Sequence, residues 1–252
     1  MIFVEWEEGS AVFKTLFAFG DSLSDAGNDY YVDGGTDPVS PYYKGHFSNG
    51  PTWIEDLSQM LGLGPLTPSI KGGHDFAFGG AETGPTLIEG ANPGDLLGQV
   101  AQYGLKYPQY QGGLYSIEIG GNDILKAVDE LRAGEISAST VSTVVTQAAA
   151  NTVHAIQTLF GLGARNLMFY EVPDLGLTPH VRAEAAESPW VQNLASGLAN
   201  WFNQSVLSPS SRWSAWASGS TTCPPMLISI WSPAICPLAH QLTADIAYHT
   251  LV

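Results

Sequence analysis

Positive charge is what this chain most lacks. Its 252 residues include 9 Lys and Arg against 24 Asp and Glu, and charged residues of all kinds make up only 13%. The formal net charge of −15 repels phosphate backbones, which argues against a nucleic-acid partner. No polybasic segment offers a dock for anionic lipid. No apolar run approaches the length needed to cross a bilayer, so no integral membrane segment is expected. The first ten residues carry Glu5, Glu7 and Glu8 and lack a basic stretch followed by an apolar core. They do not read as a secretory signal, so an intracellular protein, or one whose leader is missing from this sequence, is expected. Cysteine is scarce too: Cys223 and Cys236 could close one short loop or remain thiols. No His-Glu-x-x-His and no paired Cys-x-x-Cys occurs, so no zinc site is expected.

What is present is apolar. Hydrophobic residues make up 44% of the chain, enough to bury the core of one α/β domain. Short apolar runs at 14–19, 75–78, 114–119 and 166–172 suit buried strands. Helical periodicity fills the segments at 52–61, 95–107, 139–160, 188–207 and 238–251, and Gly161 and Gly163 close the longest of them. Strands alternating with helices predict a parallel sheet covered on both faces.

The first strand stops abruptly at Gly20-Asp21-Ser22, followed by Leu23-Ser24-Asp25-Ala26-Gly27-Asn28. A serine at the C-terminal end of a buried parallel strand sits where open α/β sheets bind their ligands. Two further strands end in small or polar groups, Gly79-Gly80-Ala81 and Gly120-Gly121-Asn122-Asp123. Acyl transfer passes through an anionic tetrahedral intermediate and needs donors fixed where that oxyanion forms. Glycine lets a backbone N–H approach closely, and asparagine supplies an uncharged NH₂ donor. Ser22 N–H, Gly80 N–H and the Asn122 side chain would make three such donors. Taken one at a time, Gly-Asp-Ser reads first as a capped turn, Gly79-Gly80 as a tight turn and Asn122-Asp123 as a helix cap.

Together and in this order, these blocks resemble those of the GDSL, or SGNH, family of serine esterases and lipases. Two further stretches are similar to the family: Gly45-His46-Phe47-Ser48-Asn49-Gly50-Pro51-Thr52-Trp53 and Val172-Pro173-Asp174-Leu175-Gly176-Leu177-Thr178-Pro179. The resemblance implies one domain over 1–252, a flavodoxin-like three-layer α/β/α sandwich with a parallel central sheet. It also implies hydrolysis of a small-molecule ester or lipid without metal or organic cofactor. Ser22 would be the nucleophile, with Ser22, Gly80 and Asn122 forming the oxyanion hole. Family members are often secreted. The α/β-hydrolase elbow, Gly-x-Ser-x-Gly, does not apply to Gly-Asp-Ser-Leu.

The pattern breaks near the C-terminus. The family places an Asp-x-x-His-Pro there, its histidine the general base that a serine needs. Here Ile230-Trp231-Ser232-Pro233-Ala234-Ile235-Cys236-Pro237 stands instead. The whole stretch 208–237 is atypical, although 226–231 could still supply the last strand. Translation in a shifted frame over about 207–238 would account for the break. Of the six histidines, His240 lies nearest the lost motif and is the candidate replacement base. His249 could touch Asp245 one helical turn away but lies late in its helix. His46 and His74 are expected at the surface or facing substrate, His154 in solvent and His180 on a surface loop. Tyr30, Tyr31, Tyr42, Tyr43 and Trp53 could line an apolar cleft or simply pack. Asn203-Gln204-Ser205 matches a glycosylation acceptor, read as incidental. Two other functions compete with the esterase: a pseudohydrolase that binds esters or lipids without turnover, and a flavodoxin-like cofactor binder. The second lacks a Gly-rich phosphate loop, and Asp21 would repel phosphate.

Overall fold

The computed structural model describes residues 13–208 and 226–229. Four strands, β1 (Thr15–Gly20), β2 (Gly113–Glu118), β3 (Asn166–Tyr170) and β4 (Met226–Ser229), pair in parallel in the order β1-β2-β3-β4. The helices are α1 (Asn28–Val32), α2 (Trp53–Met60), α3 (Leu96–Lys106), α4 (Gly121–Ala133), α5 (Ala138–Gly161), α6 (Pro179–Ala185) and α7 (Trp190–Leu207). β4 falls within the stretch suggested for the last strand. Residues 209–225 and 230–237, with Cys223 and Cys236 among them, and His240 and His249 lie outside the described residues.

The run at 75–78 is the one strand expectation that needs correction. It lies parallel to β1 on the side away from β2, bridging Ala18 to Asp75, with Phe76 N–H donating to Ala18 O at 2.8 Å and Phe78 N–H to Gly20 O at 3.2 Å. On its outer edge, Asp75 turns its carboxylate back onto Ala77 N–H at 3.0 Å. An outward N–H is thereby satisfied, which guards the sheet edge. With this segment counted second in chain order, the sheet runs 2-1-3-4-5, the flavodoxin-like order.

Alternation along the strands separates two cores. Phe17, Phe19, Tyr115, Ile117, Leu167 and Phe169 face α3, α4, α5 and α7, whereas Leu16, Ala18, Leu114, Met168 and Tyr170 face α2. The first core is the larger, and truncating a ring such as Phe19 there should cost about 3–5 kcal/mol. Helix limits follow local chemistry. Thr52 and Glu55 form a capping box at α2. Ser137 accepts from Thr140 N–H at the start of α5, and Gly163 takes a left-handed φ of 107° just past its end.

Candidate active site

The sheet is ordered so that β1 lies between the 75–78 segment and β2. Three connections therefore leave adjacent positions at the C-terminal edge: 21–27 after β1, 79–83 after Phe78, and 119–120 after β2, which leads into the first turn of α4 with Asn122. Gly20 closes β1 where no other residue fits, since an added Cβ would lie 2.2 Å from the Glu118 carbonyl oxygen. Gln99 of α3 holds it from the other side, accepting from Gly20 N–H at 2.9 Å and donating to Gly20 O at 2.7 Å.

The chain then makes a helical turn. Ser24 and Asp25 N–H donate to Asp21 O at 3.1 and 3.0 Å, and Leu23 N–H donates to Asp21 Oδ1 at 3.0 Å. Half-buried Ser22 rides on this turn, and neither its N–H nor its hydroxyl bonds to any of the described residues.

Buried Asp25 collects the surrounding backbone. Its carboxylate accepts from Gly27, Asn28 and Asp29 N–H at 2.7, 2.5 and 3.2 Å, and from Gly79 N–H at 3.1 Å. Asn28 completes the tie, donating to Asp75 O and Ala77 O and accepting from Ser69 Oγ and Ile70 N–H. Asp75 accepts from Ala26 N–H at 2.6 Å. Asp25, Asn28 and Asp75 were not singled out from sequence as site-builders. The available signal was three buried-type polar residues bracketing the Ser22 turn and the Gly79-Gly80 turn.

Gly80 is exposed at φ 70°, and a Cβ there would meet nothing within 4 Å. Its N–H has no partner among the described residues. Its loop is strapped to α4. Asn122 Nδ2 donates to Ala81 O at 2.8 Å, leaving its second N–H for another acceptor. Thr83 N–H and Oγ1 donate to the Asp123 carboxylate at 3.0 and 2.7 Å, and Lys126 pairs with Glu82 and Glu89. The helix cap itself is Gly120, left-handed and without a side-chain cap bond, so Asn122 and Asp123 are not the caps their sequence suggests.

The local electrostatics are those of buried acids. Burial pushes the Asp21 carboxyl up to about 6 against the opposing bonds from Leu23 N–H and Glu118. Burial raises Asp123 to about 7 despite its bonds from Thr83. Burial and the charges of Asp25, Asp33 and Asp37 raise Asp29 to about 6.

The model of the GDSL-like lipase/acylhydrolase family matches residues 16–208, more than half of the chain. This chain belongs to that family. It is 34% identical over 172 residues to Lipase 1 of Photorhabdus luminescens, covering 67% of this chain and 24% of that protein. It is 29% identical over 214 residues to a phosphatidylcholine-sterol acyltransferase of Aeromonas hydrophila, covering 81% and 56%. A GDSL esterase/lipase of Arabidopsis thaliana is 30% identical over 201 residues, covering 67% and 57%. The chain thus spans about a quarter of the first of these relatives and little more than half of the other two.

Of the four histidines among the described residues, His46, His74 and His180 have side-chain partners and His154 faces solvent. His46 is mostly buried, not surface-lying: Nδ1 is 2.8 Å from Tyr43 O and Nε2 is 3.2 Å from Glu55 Oε2. Burial opposes its charge, but Glu55 and Tyr43 outweigh burial and the ring's pKa stands above its ordinary value. With both ring nitrogens engaged, it braces the 43–55 loop. His74 packs edge-on against Phe17 at 5.0 Å, and burial together with Lys106 lowers its pKa. His154 is exposed on α5, as expected. His180 is exposed but sits on helix α6 rather than a loop, 3.3 Å from Asp129. Asp129, His180 and Glu184 bring three metal-ligand-type atoms within 4.8 Å, yet Arg132 already pairs with Glu184 at 2.6 Å, and the group reads as an ion-pair network.

Among the aromatic candidates, Trp53 packs on Tyr170 at 5.2 Å in the second core and is not a cleft residue. Exposed Tyr31 carries Lys71 over its ring, and exposed Tyr42 contacts Phe47. Asn203 is buried and bonds both N–H and C=O of Val172 at 2.9 and 2.8 Å, a structural use that leaves no room for a glycan. No described helix is long and apolar enough to cross a membrane.

Proposed function

We propose that this member of the GDSL family hydrolyses a carboxylic ester or lipid through an acyl-enzyme on Ser22. The observation that supports this most directly is a trio of uncommitted donors on segments leaving adjacent positions of the sheet. Ser22 N–H and Gly80 N–H have no partner among the described residues, and Asn122 keeps one N–H after bonding Ala81. In this reading the Ser22 hydroxyl loses its proton to a base, and its Oγ forms the bond to the carbonyl carbon. The oxyanion takes up the three donors. The base returns the proton to the leaving alcohol as the carbon–oxygen bond breaks, and water then releases the acid by the reverse roles. The base assigned is His240.

The acyl acceptor is water in this scheme. The relative described as a phosphatidylcholine-sterol acyltransferase shows that other acceptors occur among similar proteins. One observation favours a second reading, a binder without turnover: all four described histidines are committed to other partners or to solvent. Hydrolysis of p-nitrophenyl butyrate by wild type and Ser22→Ala, together with fluorophosphonate labelling of Ser22, separates the two. Turnover that disappears in the variant supports the hydrolase. Neither turnover nor labelling supports the binder.

A further inference from the structure

Asp21, the residue before Ser22, and Glu118, the last residue of β2, are 4% and 2% exposed, and their carboxyl groups are hydrogen-bonded to each other. No Lys, Arg or His among the described residues pairs with either. The groups that face them are Leu23 N–H on Asp21 Oδ1 and Ser24 Oγ, 3.5 Å from Glu118 Oε2. An oxygen–oxygen hydrogen bond requires a proton on one of the two carboxyls, and two adjacent buried carboxylates without a counter-ion do not both ionise.

The placement gives this bond a use. Asp21 straddles Ser22, with its own backbone on one side and its carboxylate on Leu23 N–H on the other. Ser24 ties the same turn to Glu118 and, through its N–H, to Asp21 O. Glu118 in turn precedes Gly120 and the first turn of α4 with Gly121 and Asn122, and a Cβ on Gly121 would lie 3.9 Å from Asp21 Oδ2. One bond therefore joins the frame of the nucleophile to the frame of Asn122.

We propose that Asp21 and Glu118 share a single proton and act as an acid–carboxylate clamp that sets the Ser22 turn against the end of β2, making Glu118 a positioning residue. The clamp rests on the reading of Ser22 as nucleophile for its catalytic consequence, though not for its existence. Burial raises both carboxyls, Glu118 well above its ordinary value with Asp21's charge adding to the effect, so the shared proton persists toward neutral pH and is lost on the alkaline side.

Infrared difference spectra between wild type and Glu118→Gln at neutral pH test the clamp without any turnover. Loss of a protonated-carboxyl carbonyl band in the variant is expected. Loss of a carboxylate band instead, with no change in the protonated-carboxyl region, would overturn the proposal. For the positioning role, Glu118→Ala should lower kcat by more than about tenfold with a smaller change in KM, the scale of a displaced reacting group. Glu118→Gln, which still donates to Asp21, should restore most of that loss and remove the alkaline fall in kcat/KM. Wild-type kinetics in Glu118→Ala, or no difference between the two variants, would overturn the positioning role. If Glu118→Ala does not fold, the spectra and the pH profile of Glu118→Gln carry the test. If the ester-hydrolase reading itself fails, Ser22-dependent turnover is absent while the infrared result still reports on the pair.

Discussion

Asn122 and Ala81, 41 positions apart in sequence, are joined by one hydrogen bond of 2.8 Å from the asparagine amide to the alanine carbonyl. It fixes the rotamer of the amide and draws the loop after Gly80 onto the first turn of α4. Asn122→Ala should therefore lose a strap and, on the proposed mechanism, an oxyanion donor. A fall in kcat of about 100–1,000-fold is expected, with little change in KM, measured on p-nitrophenyl butyrate. A lowered thermal midpoint with kcat unchanged would show the strap alone at work.

Ser22→Ala should abolish burst-phase release of p-nitrophenol and fluorophosphonate labelling while leaving the thermal midpoint within a few degrees. The side chain is half-buried and makes no hydrogen bond to the described residues, so little packing is lost.

His240→Ala should lower kcat by about 100–10,000-fold, the usual contribution of a general base. The same substitution at His46 should act mainly on stability, because that ring braces Tyr43 and Glu55. If His240→Ala turns over as wild type does, the base lies elsewhere, and His249→Ala is the next variant to assay.

Gly80→Ala places a methyl group in the space where a Cβ now meets nothing, at a φ of 70°. Left-handed backbone strain of about 1–2 kcal/mol should lower the thermal midpoint slightly. Activity should fall more, and most for esters with bulky acyl groups. Equal losses for acetate and butyrate esters would argue that the open space is not where the acyl group lies.

Stability should decline from mildly acidic to neutral pH. Asp123 stands near 7 in the folded chain against an ordinary 3.8, and Asp21 and Asp29 stand near 6. Between about 3.8 and those values the folded chain keeps protons that the unfolded chain has released, so each rise in pH favours unfolding. His46, raised, acts in the same direction. Glu55 and His74, both lowered, oppose it. Denaturant titrations at pH 5.5 and 8 should give the higher midpoint at 5.5, and Asp123→Asn should narrow the gap. A higher midpoint at pH 8 would refute this account.

The parallel sheet and its helices were legible because their signals are local: short apolar runs for β1, β2 and β3, and a long 3.6-residue stripe for α5. The Asp75–Phe78 run misled by the same logic. Its apolar pattern is that of a strand, and Phe76 and Phe78 N–H do pair with β1, but on the outer edge the Asp75 side chain takes the Ala77 N–H. Of the proposed site, Ser22, Gly80 and Asn122 are residues that positions after strands bring to notice. The network beneath them could not, because Asp25 bonds Gly79 across 54 positions and Asn28 bonds Ala77 across 49. His46 escaped for a related reason: its loop sequence gives no sign of the Glu55 carboxylate that holds it.

The Asp25 carboxylate has one further consequence, for transplanting this site. It gathers N–H groups from the turn after Ser22 and from Gly79 onto a single pair of oxygens. The two halves of the site therefore share one fastener. A graft that carries Ser22, Gly80 and Asn122 into another sheet but leaves Asp25, Asn28 and Asp75 behind would transfer the letters of the motif without its spelling. Loop exchange between relatives should succeed when 21–29 and 75–83 move together and fail when either moves alone.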